Sequence, residues 1–152
     1  MMKKLIPLVA LLALGLGLYY KYRVAPALNL DALQLTTLNG QPFQPEATTT
    51  SKRVVNFFQT WCGPCRAEMP MFAAWQQADP ENRQVWCISD EPVERLEIIQ
   101  QQAGPHIIVL HTAQKMNDIG VHTWPTSYLL DRNNTVIMKH VGQLQRSDLD
   151  AQ

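Results

Sequence analysis

Five residues, Trp61-Cys62-Gly63-Pro64-Cys65, constrain this chain more than any other stretch. They lie between an apolar run and a helix-forming one. Val54-Val55-Asn56-Phe57-Phe58 is rich in β-formers and reads as a buried strand. Arg66-Ala67-Glu68-Met69 and Met71-Phe72-Ala73-Ala74-Trp75 favour a helix. A strand that feeds a helix through this turn places Cys62 at the helix N-terminus. The N–H groups and macrodipole there favour thiolate and can draw a cysteine pKa from about 8.5 into the range of about 3.5–7.5. Thiolate is the species that attacks a disulfide. In that context a CxxC pair is a candidate redox dithiol.

Two other uses of the pair are weaker. A structural zinc site takes four ligands, and the chain adds only Cys87 and four scattered histidines, His106, His111, His122 and His140. A purely structural disulfide would close a very short loop and stabilise little. With 152 residues the chain suits one domain plus an anchor. Thirteen basic and thirteen acidic residues balance to zero, and no basic stripe points to nucleic acid. A hydrophobic content of 46% supports a packed core. Three cysteines are too few to staple a small secreted fold.

The N-terminus reads as a targeting element. Lys3 and Lys4 precede an apolar run from Leu5 to Tyr20, and Lys21, Tyr22 and Arg23 follow. As a helix the run is about 24 Å long, against about 30 Å for a bilayer core. Tyr19, Tyr20 and Tyr22 can extend it into the headgroups. The favoured reading is an uncleaved signal anchor over 1–23, a linker over 24–32 and a folded domain over 33–152. The basic residues weakly favour an N-terminus inside and a domain in the periplasm or its equivalent. The competing reading is a soluble periplasmic protein released by cleavage near Ala25-Pro26-Ala27.

Along the rest of the chain, Leu33–Leu38 reads as a strand turned by Asn39-Gly40, with a return strand from Gln41. The stretch Glu46–Lys52 reads as a polar loop. A strand over Arg53–Gln59 leads into a helix from Cys62 to about Ala78, kinked at Pro70. Gln84–Ser89 reads as a strand and Asp90 as the N-cap of a helix that ends at Gly104-Pro105. Ile107–Leu110 reads as a strand and Thr112–Asp118 as a brief helix ended by Gly120. Thr126–Leu130 and Thr135–Lys139 read as a hairpin, and a last helix is expected from about Ser147. The order βαβαβ then hairpin predicts an α/β fold with a mixed central sheet flanked by helices.

Three signatures give the chain a resemblance. They are Val55-Asn56-Phe57-Phe58-Gln59-Thr60-Trp61-Cys62-Gly63-Pro64-Cys65-Arg66-Ala67-Glu68-Met69-Pro70, then Trp124-Pro125-Thr126-Ser127-Tyr128-Leu129-Leu130-Asp131, then His140-Val141-Gly142. Over about Leu33–Leu149 the chain resembles the thioredoxin superfamily. More narrowly it is similar to the membrane-anchored branch typified by TlpA, ResA and the CcmG-type cytochrome c maturation reductases.

The resemblance implies a thioredoxin-like fold and a thiol–disulfide oxidoreductase that needs no metal or organic cofactor. It implies that Cys62 attacks, Cys65 resolves and Glu68 handles the proton of Cys65. It implies a cis peptide before Pro125, whose backbone is offered to the substrate; Trp61, Gly63, Pro64 and Trp124 read as the rest of the substrate surface. The implied partners are a protein disulfide and a membrane electron-donor protein that re-reduces the enzyme. Periplasmic reduction, cytochrome c maturation or oxidase assembly is the implied setting. Two departures stand out. Asn56 replaces a buried aspartate of cytoplasmic-type thioredoxins, and Trp124 replaces a smaller residue. Cys87, in a core strand, reads as a buried inert thiol. A disulfide-donating oxidant and a CxxC metal chaperone or assembly factor are the alternative functions.

Overall fold

A computed structural model describes residues 2–45 and 50–152, with side chains described from Pro7 onward. Helix α1 (Met2–Arg23) is followed by a 3-10 turn, Asp31–Leu33, and strand β1 (Leu35–Thr37). The remaining elements are β2 (Lys52–Phe57), α2 (Gly63–Gln77), β3 (Arg83–Ser89), α3 (Val93–Ala103), β4 (Ile108–Thr112), β5 (Thr126–Asp131), β6 (Val136–Val141) and α4 (Arg146–Asp150).

The six strands form one mixed sheet in the order β1-β4-β3-β2-β5-β6. β2, β3 and β4 run parallel, because α2 and α3 return the chain across one face. β1 is antiparallel to β4, and β5 is antiparallel to β2 and β6. One core lies between the sheet and helices α2, α3 and α4, around Val54, Phe72, Trp75, Leu96 and Leu129. The second lies on the other face, around Val55, Phe57, Trp86, Tyr128 and Met116. The odd–even split of Val54 and Val55 reflects the two-residue period of a strand buried on both faces.

Several expectations change. The return strand after Asn39-Gly40 is an isolated bridge between Thr36 and Pro42. The polar loop expected from Glu46 falls in part outside the described residues. The helix expected from Cys62 does form, as α2, and it continues through Pro70, which is on its exposed side, where solvent can reach the carbonyl left without a donor. No helix forms over Thr112–Asp118. Thr112 ends β4, its hydroxyl bound to Leu33 O at 2.7 Å, and the chain then crosses the sheet in turns that bury Met116. Asp90 does not cap α3, whose N-cap is Pro92 without a side-chain bond. Its carboxylate binds Gln59 instead.

α4 has only five residues, yet it closes the first core. Leu149 and Leu144, just before the helix, are buried, at about 1.5–3 kcal/mol for each apolar side chain. The 24–32 segment is packed rather than extended. Ala25, Leu28 and Leu30 join the second core, and Tyr128 Oη donates to Pro26 O at 3.0 Å. α1 projects with its described side chains exposed. Among the described residues, no helix is long and apolar enough to cross a membrane.

Candidate active site

β2 is one of the two central strands, and the turn at its C-terminal end carries the cysteines. Cys62 N–H donates to Gln59 O at 3.0 Å, which closes that turn. Cys62 is then the N-cap of α2, with Pro64 in the first helical turn, where a missing N–H costs nothing. Cys62 and Cys65 are joined by a disulfide with an S–S distance of 2.09 Å. Cys62 Sγ accepts the Cys65 N–H at 3.3 Å. That bond, together with the helix dipole, is the local stabilisation a Cys62 thiolate would receive. Cys62 is 5% exposed and Cys65 is wholly buried, so of the two cysteines only Cys62 reaches the surface.

The Trp124–Pro125 peptide is cis. β5 pairs with β2 in a register that brings Thr126 opposite Phe57, so Pro125 lies beside the end of the strand that carries the turn. Trp61 and Trp124 meet edge to face, with ring centroids 5.6 Å apart. Trp61 is 67% exposed, whereas Trp124 is half-buried and its Nε1 has no hydrogen-bond partner. The pair makes an apolar shelf at the mouth of the disulfide, and Gly63 and Pro64 are exposed on its rim.

Glu68 lies one helical turn beyond Cys65, on the same face of α2. It is 1% exposed. Oε1 accepts from Asn56 Nδ2 at 2.7 Å, and Oε2 accepts from the Leu144 N–H at 3.0 Å. Burial raises its pKa from 4.5 to about 7, and these two hydrogen bonds only partly oppose the rise. Asn56 Nδ2 also donates to Ser127 Oγ at 2.9 Å, while Asn56 Oδ1 has no partner. Cys87 stands opposite Asn56 in the sheet, reduced and buried. Burial first, and the charge of Glu68 second, push its thiol well above the usual range.

The resemblance named Cys62, Cys65 and Glu68, and the structure sets Cys65 and Glu68 on the buried face of α2, whose N-cap is Cys62, and adds the partners of Glu68. Ser127 and the Leu144 N–H were not anticipated. Sheet register carries Ser127 to Asn56, and no local pattern reveals that pairing in advance. His122 is on the surface, bonded to Asn117 at 2.9 Å, and His106, His111 and His140 join no cluster with the cysteines.

A sheet of this topology, a disulfide at the start of the helix after a central strand, and a cis-proline alongside define a thioredoxin-fold thiol–disulfide oxidoreductase. The chain belongs to the Redoxin family, whose profile matches residues 23–152. It is 28% identical to the thiol-disulfide oxidoreductase ResA of Geobacillus thermodenitrificans, over 97% of this chain and 90% of that protein. It is 27% identical to the thioredoxin-like protein YneN of Bacillus subtilis, over 76% of this chain and 71% of that one. The thiol:disulfide interchange protein DsbE of Escherichia coli is 27% identical, over 69% of this chain and 58% of its own length. Among solved structures, a putative DsbE from Chlorobium tepidum superposes with a TM-score of 0.58 at 28% identity, covering 68% of this chain and 77% of that one. StoA from Bacillus subtilis superposes with a TM-score of 0.60 at 20% identity, covering 84% of this chain and 96% of that one, a likeness of fold.

Proposed function

We propose that this protein reduces disulfides in extracytoplasmic proteins, with Cys62 as nucleophile and Cys65 as resolving thiol. One observation carries the reading: Cys62 is the less buried cysteine and sits at the α2 N-terminus, while Cys65 is sealed above Glu68. In the reduced enzyme, Cys62 thiolate attacks one sulfur of the substrate disulfide, and the other substrate sulfur leaves as thiolate. Glu68 takes the proton of Cys65. Cys65 thiolate then attacks Cys62 Sγ, the mixed disulfide breaks, and the substrate leaves with two thiols. The enzyme keeps the two-electron oxidation as the Cys62–Cys65 disulfide. A membrane electron-donor protein with its own dithiol restores it.

Trp61, Gly63, Pro64, Trp124 and Pro125 supply the contact surface for the substrate chain. α1 acts as the membrane anchor, supported by exposed apolar side chains such as Leu8, Leu11, Leu12, Leu14 and Leu18 with Lys21 and Arg23 at its end. The domain then faces the periplasm. The names of the relatives, a thiol-disulfide oxidoreductase and a thiol:disulfide interchange protein, support disulfide exchange; an extracytoplasmic setting and, within it, cytochrome c maturation or oxidase assembly belong to this proposal. A Cys65→Ser variant expressed in cells tests the reading, because it cannot resolve its mixed disulfides. Recovery of extracytoplasmic proteins bound through Cys62 is expected, and recovery of none rejects it. Alkaline carbonate extraction tests the anchor: retention in the membrane is expected, and release of a shorter soluble form shows cleavage near Ala27.

A further inference from the structure

The turn that carries Trp61 and Cys62 is gripped from outside the helix by the two residues that follow β3. β2 and β3 are parallel with Phe57 opposite Ile88, and Phe58 N–H extends the ladder to Ile88 O at 3.1 Å. Two residues further on, the same offset sets Gln59 against Asp90 and Thr60 against Glu91. Gln59 Nε2 donates to Asp90 Oδ1 at 2.7 Å, and Asp90 Oδ2 accepts the Met116 N–H at 3.2 Å from the segment that crosses the sheet. Thr60 gives both its donors to one carboxylate: its N–H to Glu91 Oε2, and its hydroxyl to Glu91 Oε1 at 2.9 Å. Glu91 is 8% exposed, and Arg95 Nη1 stands 3.4 Å from Oε1. The Glu91 N–H is itself held by buried Ser89 Oγ at 3.3 Å.

We infer that Glu91 is a positioning residue for the reaction, acting through Thr60 to keep Cys62 Sγ at the α2 N-terminus when the disulfide is open. This rests on the reading of Cys62 as the nucleophile. While the disulfide is closed, Cys65 fixes Cys62 covalently. Once it is reduced, the first helical turn still holds Cys62 through the Arg66 N–H to Cys62 O bond at 3.2 Å, and the turn before it is held by the Cys62 N–H to Gln59 O bond and by the grip from the residues after β3. A buried carboxylate bound to the residue two positions before a thiolate works against that thiolate, since like charges repel. Its place there is explained by what it holds, with Arg95 offsetting its charge. Glutamate suits the task because two oxygens accept two donors from one residue, whereas an amide offers one oxygen.

The two effects of Glu91 on Cys62 have opposite signs, so one measurement separates them. In Glu91→Gln the negative charge is gone. If charge alone mattered, Cys62 thiolate would form more readily and its alkylation-against-pH profile would move to lower pH. If Glu91 positions the turn, the Cys65 N–H and the helix terminus are less well aligned and the profile moves to higher pH. The expected result for reduced Glu91→Gln is a higher midpoint, with alkylation at acidic pH slowed about threefold or more. Thr60→Val keeps the shape and removes the hydroxyl, so it is expected to shift the profile in the same direction by less. The double variant is expected to fall short of the sum, because the two residues act through one contact.

A profile that is unchanged, or that moves to lower pH, overturns the inference. So does additivity in the double variant. If Glu91→Gln does not fold, Thr60→Val alone decides: an unshifted profile rejects the role. Mass mapping of the label separates this failure from that of the parent reading. Label on Cys65 ahead of Cys62 removes the nucleophile assignment, whereas label on Cys62 with an unmoved profile removes only the role of Glu91.

Discussion

Asn56 Nδ2 lies 2.7 Å from Glu68 Oε1, so a neutral amide faces a buried carboxyl under the disulfide. A second carboxylate at position 56 would share its charge burden, but an amide cannot take a proton. In the proposed mechanism the acid–base work beneath Cys65 therefore falls to Glu68, whose pKa of about 7 suits a group that exchanges a proton near neutrality.

The first consequence is in stability. Glu68 carries its proton up to about pH 7 in the folded chain and loses it near 4.5 when unfolded. Between those values the folded state binds more protons, so stability falls as pH rises through pH 4.5–7. The full span is worth roughly 3 kcal/mol, and Glu68→Gln should remove most of the slope. Chemical denaturation of the oxidised protein at pH 4.5 and pH 8 measures it. An equal slope in both proteins would mean that Glu68 is not the titrating group.

In single-turnover kinetics, Glu68→Gln should slow release of the mixed disulfide by about 10²-fold, the low end for a lost general base, and leave its formation within a few-fold. The wild-type release rate should climb through pH 7, and the variant should lose that limb. Stopped-flow mixing with a small aromatic disulfide resolves the two steps. Equal slowing of both would point to a structural role.

Asn56→Asp places two carboxyls in hydrogen-bond contact. Like charges that close cannot both ionise, so one proton is retained to a higher pH. The release limb should move to higher pH by one unit or more, roughly tenfold slower at neutrality. Unaltered pH dependence would show that position 56 does not couple to Glu68.

The reduction potential should lie near that of thioredoxin, roughly −270 mV, rather than the roughly −120 mV of a strong oxidant. The Gly63-Pro64 dipeptide motivates the direction. Equilibration with dithiothreitol buffers gives the value, and a figure above about −180 mV would favour the disulfide-donating alternative.

What could be read in advance follows the range of the interactions. The strand, the turn and the helix-forming run around Cys62 are local, so the CxxC context, α2 and the succession of elements along the chain were legible, whereas the order of strands across the sheet was not. Leu149 carries enough apolar surface to pin a five-residue α4, which length alone would not promise. The misread stretch at Thr112–Asp118 has helical composition, but Thr112 and Met116 are held by Leu33 and Asp90 from distant elements, and those bonds override propensity. Asp90 looked like a cap because a cap is a local pattern. Its real partner, Gln59, is 31 residues away and visible only once the β2–β3 register is known.

The most direct test is brief alkylation of the reduced protein near neutral pH, followed by mass mapping of Cys62, Cys65 and Cys87. The account predicts label on Cys62 first, with Cys87 unlabelled in the folded chain because it is buried and its thiol is held protonated. Faster label on Cys65 or Cys87 would contradict it.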